Sequence, residues 1–135
     1  MGKIIGLDTS IFIYLLENNT EFADRCEKII EQVQFDGYHA IFASIGLIEI
    51  YTGPKRTGDV EQIHYCRNYI TQLPNLIVAN LNEPVIDIAS DLRAKYKITV
   101  PDAIHIASAI VYGADTFITN DKALKKVKEI SIQLL

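Results

Sequence analysis

The run VPDAIHIASAIVYGADTFITND, Val100 to Asp121, constrains the fold more than any other part of the chain. Pro101 suits a first helical turn, where its missing N–H is not needed. Asp102 follows where the helix dipole favours negative charge. Ala103, Ile104, Ile106, Ala107, Ile110 and Val111 cover too much of the circumference for a one-faced surface helix, so the spacing predicts a central, buried one. Gly113 ends it, Thr116-Phe117-Ile118 reads as a short apolar strand, and Thr119-Asn120-Asp121 is a polar triplet suited to opening another helix. A core helix and a core strand that bring Asp102 and Asp121 to one level would supply half of a metal site.

The rest of the chain repeats that alternation. Lys3 to Leu7 reads as a buried strand ending at Asp8, and Thr9 and Ser10 can cap a helix from Ile11 to Glu17. A second helix, Glu21 to Gln34, carries a stripe of Phe22, Cys26, Ile29, Ile30 and Val33. A strand from Tyr38 to Ala43 leads into a helix, Ile45 to Tyr51, that Thr52-Gly53-Pro54 is expected to stop. Lys55 to Asp59 reads as a loop. It precedes a helix from Val60 to Leu73, a strand from Leu76 to Ala79 and a helix capped by Asn82. A lysine-rich helix through Val127 and a strand near Ile130 to Gln133 follow the opening stretch. Apolar strands alternating with helices predict an α/β fold with a largely parallel sheet, and residues 1–135 read as one domain without repeats or linkers.

Composition narrows the function classes. A hydrophobic fraction of 49% and a charged fraction of 22% fit a soluble globular chain that can bury a core. No apolar run reaches the length of a membrane span, and the opening MGKIIGLDTS lacks the layout of a signal peptide. Cys26 and Cys66 fall on apolar helical stripes, which reads as buried reduced thiols and a cytoplasmic location. The net charge of −4 argues against a protein that coats nucleic acid through bulk positive charge. It does not argue against an enzyme whose metal supplies the positive charge at a phosphate.

Four carboxylates are candidate site residues. Asp8 and Asp121 each follow a strand, where open α/β sheets present their ligand crevice; each reads equally well as a helix cap. If the two strands are parallel neighbours, both carboxylates emerge at one sheet edge, which a pair of caps does not require. Glu49 has only apolar immediate neighbours, and a glutamate buried in such a helix needs a partner or a cation; on the alternative reading it faces solvent. Asp102 alone is also compatible with simple stabilisation of a helix start. Four carboxylates in one crevice would raise one another's pKa unless a hard divalent cation, Mg²⁺ or Mn²⁺, neutralised them. His105 shares a helix face with Asp102 and reads first as a hydrogen-bonded core residue, with metal ligation as the lesser alternative. Lys122, Lys125, Lys126 and Lys128 read as a solvated face, with phosphate steering as the alternative. Nucleotide-binding glycine loops, zinc spacings and nucleophile elbows are absent from the sequence.

These residues together resemble the PIN domain family, specifically the single-domain toxin nucleases of VapBC toxin–antitoxin pairs. The resemblance is carried by Leu7-Asp8-Thr9-Ser10, Glu49-Ile50-Tyr51-Thr52-Gly53, the run Pro101 to Ala109, and Thr119-Asn120-Asp121. It implies a three-layer α/β/α fold with a parallel five-stranded sheet, and a metal-dependent endoribonuclease site made of Asp8, Glu49, Asp102 and Asp121. Thr9, Ser10, Thr119 and Asn120 would orient carboxylates or water in such a site. It further implies an RNA substrate, a cognate antitoxin and a homodimer, for which Tyr51, Tyr65 and Tyr69 offer aromatic surface. Within the same family stand RNA-processing and decay nucleases. The rivals outside that activity are a non-catalytic PIN-like module that binds RNA or protein, and a phosphatase. Retention of all four acids argues against the first, and the lack of a D-x-D arrangement at Asp8-Thr9-Ser10 against the second.

Overall fold

Short apolar strands between helices bury both faces when they pair in parallel. The computed structural model, which describes residues 2–135, has this architecture. Met1, the first residue of the segment read above for a leader, lies outside the described residues. The strands are β1 (Ile4–Leu7), β2 (His39–Ala43), β3 (Leu76–Ala79), β4 (Thr116–Thr119) and β5 (Ser131–Leu134). The helices are α1 (Thr9–Leu16), α2 (Ala23–Phe35), α3 (Gly46–Thr57), α4 (Val60–Gln72), α5 (Glu83–Lys95) and α6 (Val100–Val111). All strand pairs are parallel, in the order β3-β2-β1-β4-β5, so β1 is central. Leu7 lies opposite Ile118, which brings the carboxyl ends of β1 and β4 level.

Two cores cover the sheet. Phe12, Cys26, Val33, Phe42, Cys66 and Ile70 belong to one, which α1 to α4 complete. Val85, Leu92, Ile106, Phe117 and Leu124 belong to the other, with α5 and α6 packed together over it. Both cysteines are buried and free. As expected of a central helix, α6 buries Ala103 and every residue from His105 to Ala109. Among the described residues no helix is long and apolar enough to cross a membrane.

Three expectations need correction. The helix after β2 does not stop at Thr52-Gly53-Pro54; α3 runs through them to Thr57, so Lys55 to Thr57 are helical and not loop. Proline disfavours helix in the preceding residue largely through that residue's Cβ, and Gly53 has none. The stop is Gly58, whose φ of 70° and N–H bonds to Lys55 and Pro54 carbonyls close the helix in the left-handed manner glycine permits. The lysine-rich segment is a short 3₁₀ helix, Lys122–Lys126, held at its start by Asp121. Finally, Glu49 is exposed, not buried among apolar neighbours: Ile48 beside it is itself 68% exposed, because α3 turns that side to solvent.

Candidate active site at the carboxyl edge of the sheet

Asp8 closes β1, and its backbone N–H reaches the Ile118 carbonyl of β4 at 3.0 Å. Its side chain caps α1: Oδ1 accepts from the Thr9 N–H at 2.8 Å. Oδ2 accepts from the Thr119 hydroxyl at 2.6 Å, within the range of a charge-assisted O–H···O⁻ bond. Thr119 is fully buried, and its oxygen in turn accepts the Asp121 N–H at 3.1 Å. One threonine thus ties the carboxylate after β1 to the backbone of the carboxylate after β4. Asp121 caps the 3₁₀ helix through the Ala123 N–H at 2.9 Å. Capping and site membership are therefore not exclusive alternatives for these two residues.

Asp102 sits half-buried in the first turn of α6, which Thr99 caps by accepting the Asp102 N–H. Burial pushes its carboxyl above the usual range; a hydrogen bond with Thr99 opposes this, and the charges of Asp8 and Asp121 push it further up. Glu49, in the first turn of α3, is raised by partial burial of its carboxyl and then by the charges of Asp8 and Asp102. The four acids are thus linked by mutual repulsion, with Asp8 and Asp102 common to both groups. Among the described residues no group of three or more Asp, Glu, His or Cys side chains forms a ready-made cation cage. An all-oxygen, all-anionic donor set whose members repel one another suits a hard divalent cation and little else.

The supporting polar residues divide their tasks. The Thr9 hydroxyl lies 2.9 Å from His105 Nε2, and both residues are 3% exposed. His105 is therefore a hydrogen-bonded core residue; burial holds its imidazole below the usual pKa against the opposing pull of Asp8. Phe42 packs against His105 on one side. Gly46 presses close by: a Cβ there would overlap the Phe42 ring and come within 2.8 Å of Thr9 Oγ1. Ser10 Oγ is buried and makes no hydrogen bond. Asn120 donates to Tyr14 Oη at 2.7 Å, which pins the loop before Asp121 to α1. Tyr14 has no signal in the sequence beyond its place on an apolar helix. Of the tyrosines considered as contact surface, Tyr65 is exposed, while Tyr51 and Tyr69 are half-buried and Tyr51 carries Arg67 and Lys55 over its ring.

A cleft of about 360 Å³ opens from the acidic edge. Asp102, Asp121, Thr99 and Ala123 line it together with Arg93 at the end of α5 and Lys97 in the α5–α6 connection. The two cationic residues escape a sequence reading because only the fold brings them into one cleft with the carboxylates.

A family model described as PIN domain matches residues 5–130. No curated protein matches the sequence. Among solved structures, VapBC2 from Rickettsia felis bound to a DNA fragment from its promoter matches at TM-score 0.73 and 19% identity, over 97% of this chain and 98% of that one. A toxin–antitoxin complex from Klebsiella pneumoniae matches at TM-score 0.70 and 22% identity, over 96% and 95%. VapBC-1 from nontypeable Haemophilus influenzae matches at TM-score 0.71 and 21% identity, over 96% of each chain.

Proposed function

The chain belongs to the PIN domain family, and from that premise we propose that it is a metal-dependent endoribonuclease, the toxin of a toxin–antitoxin pair. The observation that carries this reading is the gathering of acids at the carboxyl edge of a parallel sheet: Thr119 ties Asp8 to Asp121, Asp102 and Asp121 line one cleft, and Glu49 lies within reach of the charges of Asp8 and Asp102. Caps alone have no need of it. A cation site does, because the ion relieves the repulsion when it binds.

We assign the ion as Mg²⁺ or Mn²⁺, with Asp8, Asp102 and Asp121 as direct ligands and Glu49 as ligand to a second ion or as the group that positions water. Such an ion supplies a water activated for attack and neutralises the charge of the phosphodiester. The chain's own residues prepare for it. The Thr119 hydroxyl and Thr9 N–H hold one Asp8 rotamer and aim that carboxylate. The buried His105–Thr9 pair fixes the start of α1 beneath it. Asn120, through Tyr14, keeps Asp121 at the level of Asp8.

The partners follow from the same reading. Three structurally similar assemblies are described as VapBC or toxin–antitoxin complexes, which supports a cognate antitoxin as the chain's inhibitor. A homodimer and a cytoplasmic setting complete the proposal, the latter supported by two free, buried thiols. The test is cleavage of a mixed RNA substrate by the purified chain in Mn²⁺ or Mg²⁺, with an EDTA control. Metal-dependent cleavage supports the proposal, and cleavage that persists in excess EDTA rejects it.

A further inference from the structure

Resting on the nuclease reading, we propose that the cleft bounded by Arg93, Lys97, Asp102 and Asp121 is a subsite for the backbone of a single-stranded RNA. Arg93 and Lys97 would hold a phosphate next to the one being cut. The cleft joins both kinds of group at one opening: two of the acids assigned to the metal, and two cationic residues that share its lining. Among the described residues, the single ion pair within 4 Å is Lys95–Glu129 at 3.2 Å. Neither Arg93 nor Lys97 is neutralised by the carboxylates that share its cleft.

A simpler origin accounts for only part of this. Cations in the last turn of a helix complement its dipole, which suits Arg93 and Lys95 at the end of α5. Lys97 lies past the C-cap of that helix, outside the last turn where the effect is strongest. Lys95 is drawn away to Glu129 and Tyr96. Arg93 is instead held at the cleft by a hydrogen bond to the backbone. Arg93 Nε donates to the Ile98 carbonyl at 3.1 Å, which leaves the terminal guanidinium nitrogens free. The Lys97 carbonyl accepts from Lys126 Nζ at 2.9 Å, which adds a third cation behind the connection.

The electrostatics require some such arrangement. A chain with net charge −4 and four clustered acids repels a polyanion everywhere except where cations gather. A phosphodiester strand that reaches the carboxylate edge must pass a positive group, and in this cleft it meets two. Guanidinium and ammonium groups bind backbone phosphate irrespective of base, so this subsite contributes affinity and register, not sequence choice.

The test is the salt dependence of kcat/KM for cleavage of single-stranded RNA with saturating Mn²⁺. Removing one cation that neutralises a phosphate flattens the log–log slope by about 0.7 for a single strand. Arg93→Gln/Lys97→Gln is expected to raise KM on the order of tenfold and to flatten the slope by about 1.4, twice the effect of one cation. The Mn²⁺ concentration giving half-maximal rate should not rise, since the carboxylates are untouched and no positive charge is added. A charge-matched control, Lys3→Gln/Lys28→Gln, removes two exposed cations outside the cleft and should retain the wild-type slope. If circular dichroism shows the double variant misfolded, Lys97→Gln alone decides, with a change of about 0.7. Wild-type cleavage with no change of slope or KM in the cleft variants overturns the subsite and leaves the nuclease reading standing. Wild-type protein that neither cleaves nor binds RNA overturns both.

Discussion

The Thr119 hydroxyl donates to Asp8 Oδ2 at 2.6 Å while its oxygen accepts the Asp121 N–H at 3.1 Å. Two acids that stand more than a hundred residues apart in the chain are thereby held in one polar unit. It is built on adjacent parallel strands.

Thr119→Val keeps the shape of this side chain and removes both bonds. Metal affinity and cleavage should each fall by about 10- to 100-fold, the usual cost of losing a group that orients a ligand. A buried polar group left unpaired should also cost about 1–3 kcal/mol of stability. Thr119→Ser retains the hydroxyl and should recover most of both. Mn²⁺ titration calorimetry and urea unfolding in EDTA check the two effects separately.

The pH dependence of the metal-free protein has a defined sign. Burial first, then Asp8 and Asp121, raises the Asp102 carboxyl above its unfolded value of 3.8. The folded state therefore favours the protonated acid. Its contribution is fully present below pH 3.8 and is lost as pH rises through the folded value. Asp102→Asn should make the metal-free chain more stable than wild type near neutral pH, and the gain should vanish toward pH 3.8. Unfolding midpoints measured in EDTA across that window check it; a gain that does not vary with pH would contradict the assigned cause.

His105 has the opposite sign. Burial lowers its pKa below 6.5, so the unfolded chain takes up a proton before the folded one does. Stability should fall as pH drops below 6.5 and should level off once the folded imidazole is also charged. His105→Phe keeps an aromatic ring against Phe42 but strands the Thr9 hydroxyl. Relative to the variant, the wild-type protein should lose stability over this window, while at about pH 8 the variant is the weaker by about 1–3 kcal/mol.

Gly46→Ala tests the packing beneath the site. The added methyl meets the Phe42 ring and Thr9 Oγ1, and overpacking of this kind costs about 1–3 kcal/mol. Because the methyl crowds Thr9 as well as Phe42, the fall in cleavage should exceed what the fall in folded protein explains. Comparing active fraction with folded fraction measures the difference.

Much of this was legible in the sequence, for physical reasons that also explain what was not. The parallel sheet could be read because short, mostly apolar strands of four or five residues alternate with helices, leaving little choice of how to bury them. Asp8 and Asp121 could be read because each ends such a strand. The extent of α3 could not, since Gly53-Pro54 carries a local stop signal that the glycine itself disarms. The exposure of Glu49 could not either: apolar neighbours in sequence say nothing about which side of a helix faces water, and Ile48 is exposed beside it. Arg93 and Lys97 read as ordinary surface cations until the fold places them in one cleft with Asp102 and Asp121.

The central claim is that these carboxylates act by holding a cation, and Asp8→Asn tests it most directly. The change barely alters shape but removes one charge from the ligand set, at the residue whose charge acts on both Glu49 and Asp102. Measured in parallel on wild type and variant, Mn²⁺ affinity and Mn²⁺-dependent RNA cleavage should both fall by orders of magnitude. Stability without metal should hold or rise slightly, as repulsion is relieved. Undiminished cleavage by a folded Asp8→Asn protein would contradict the account.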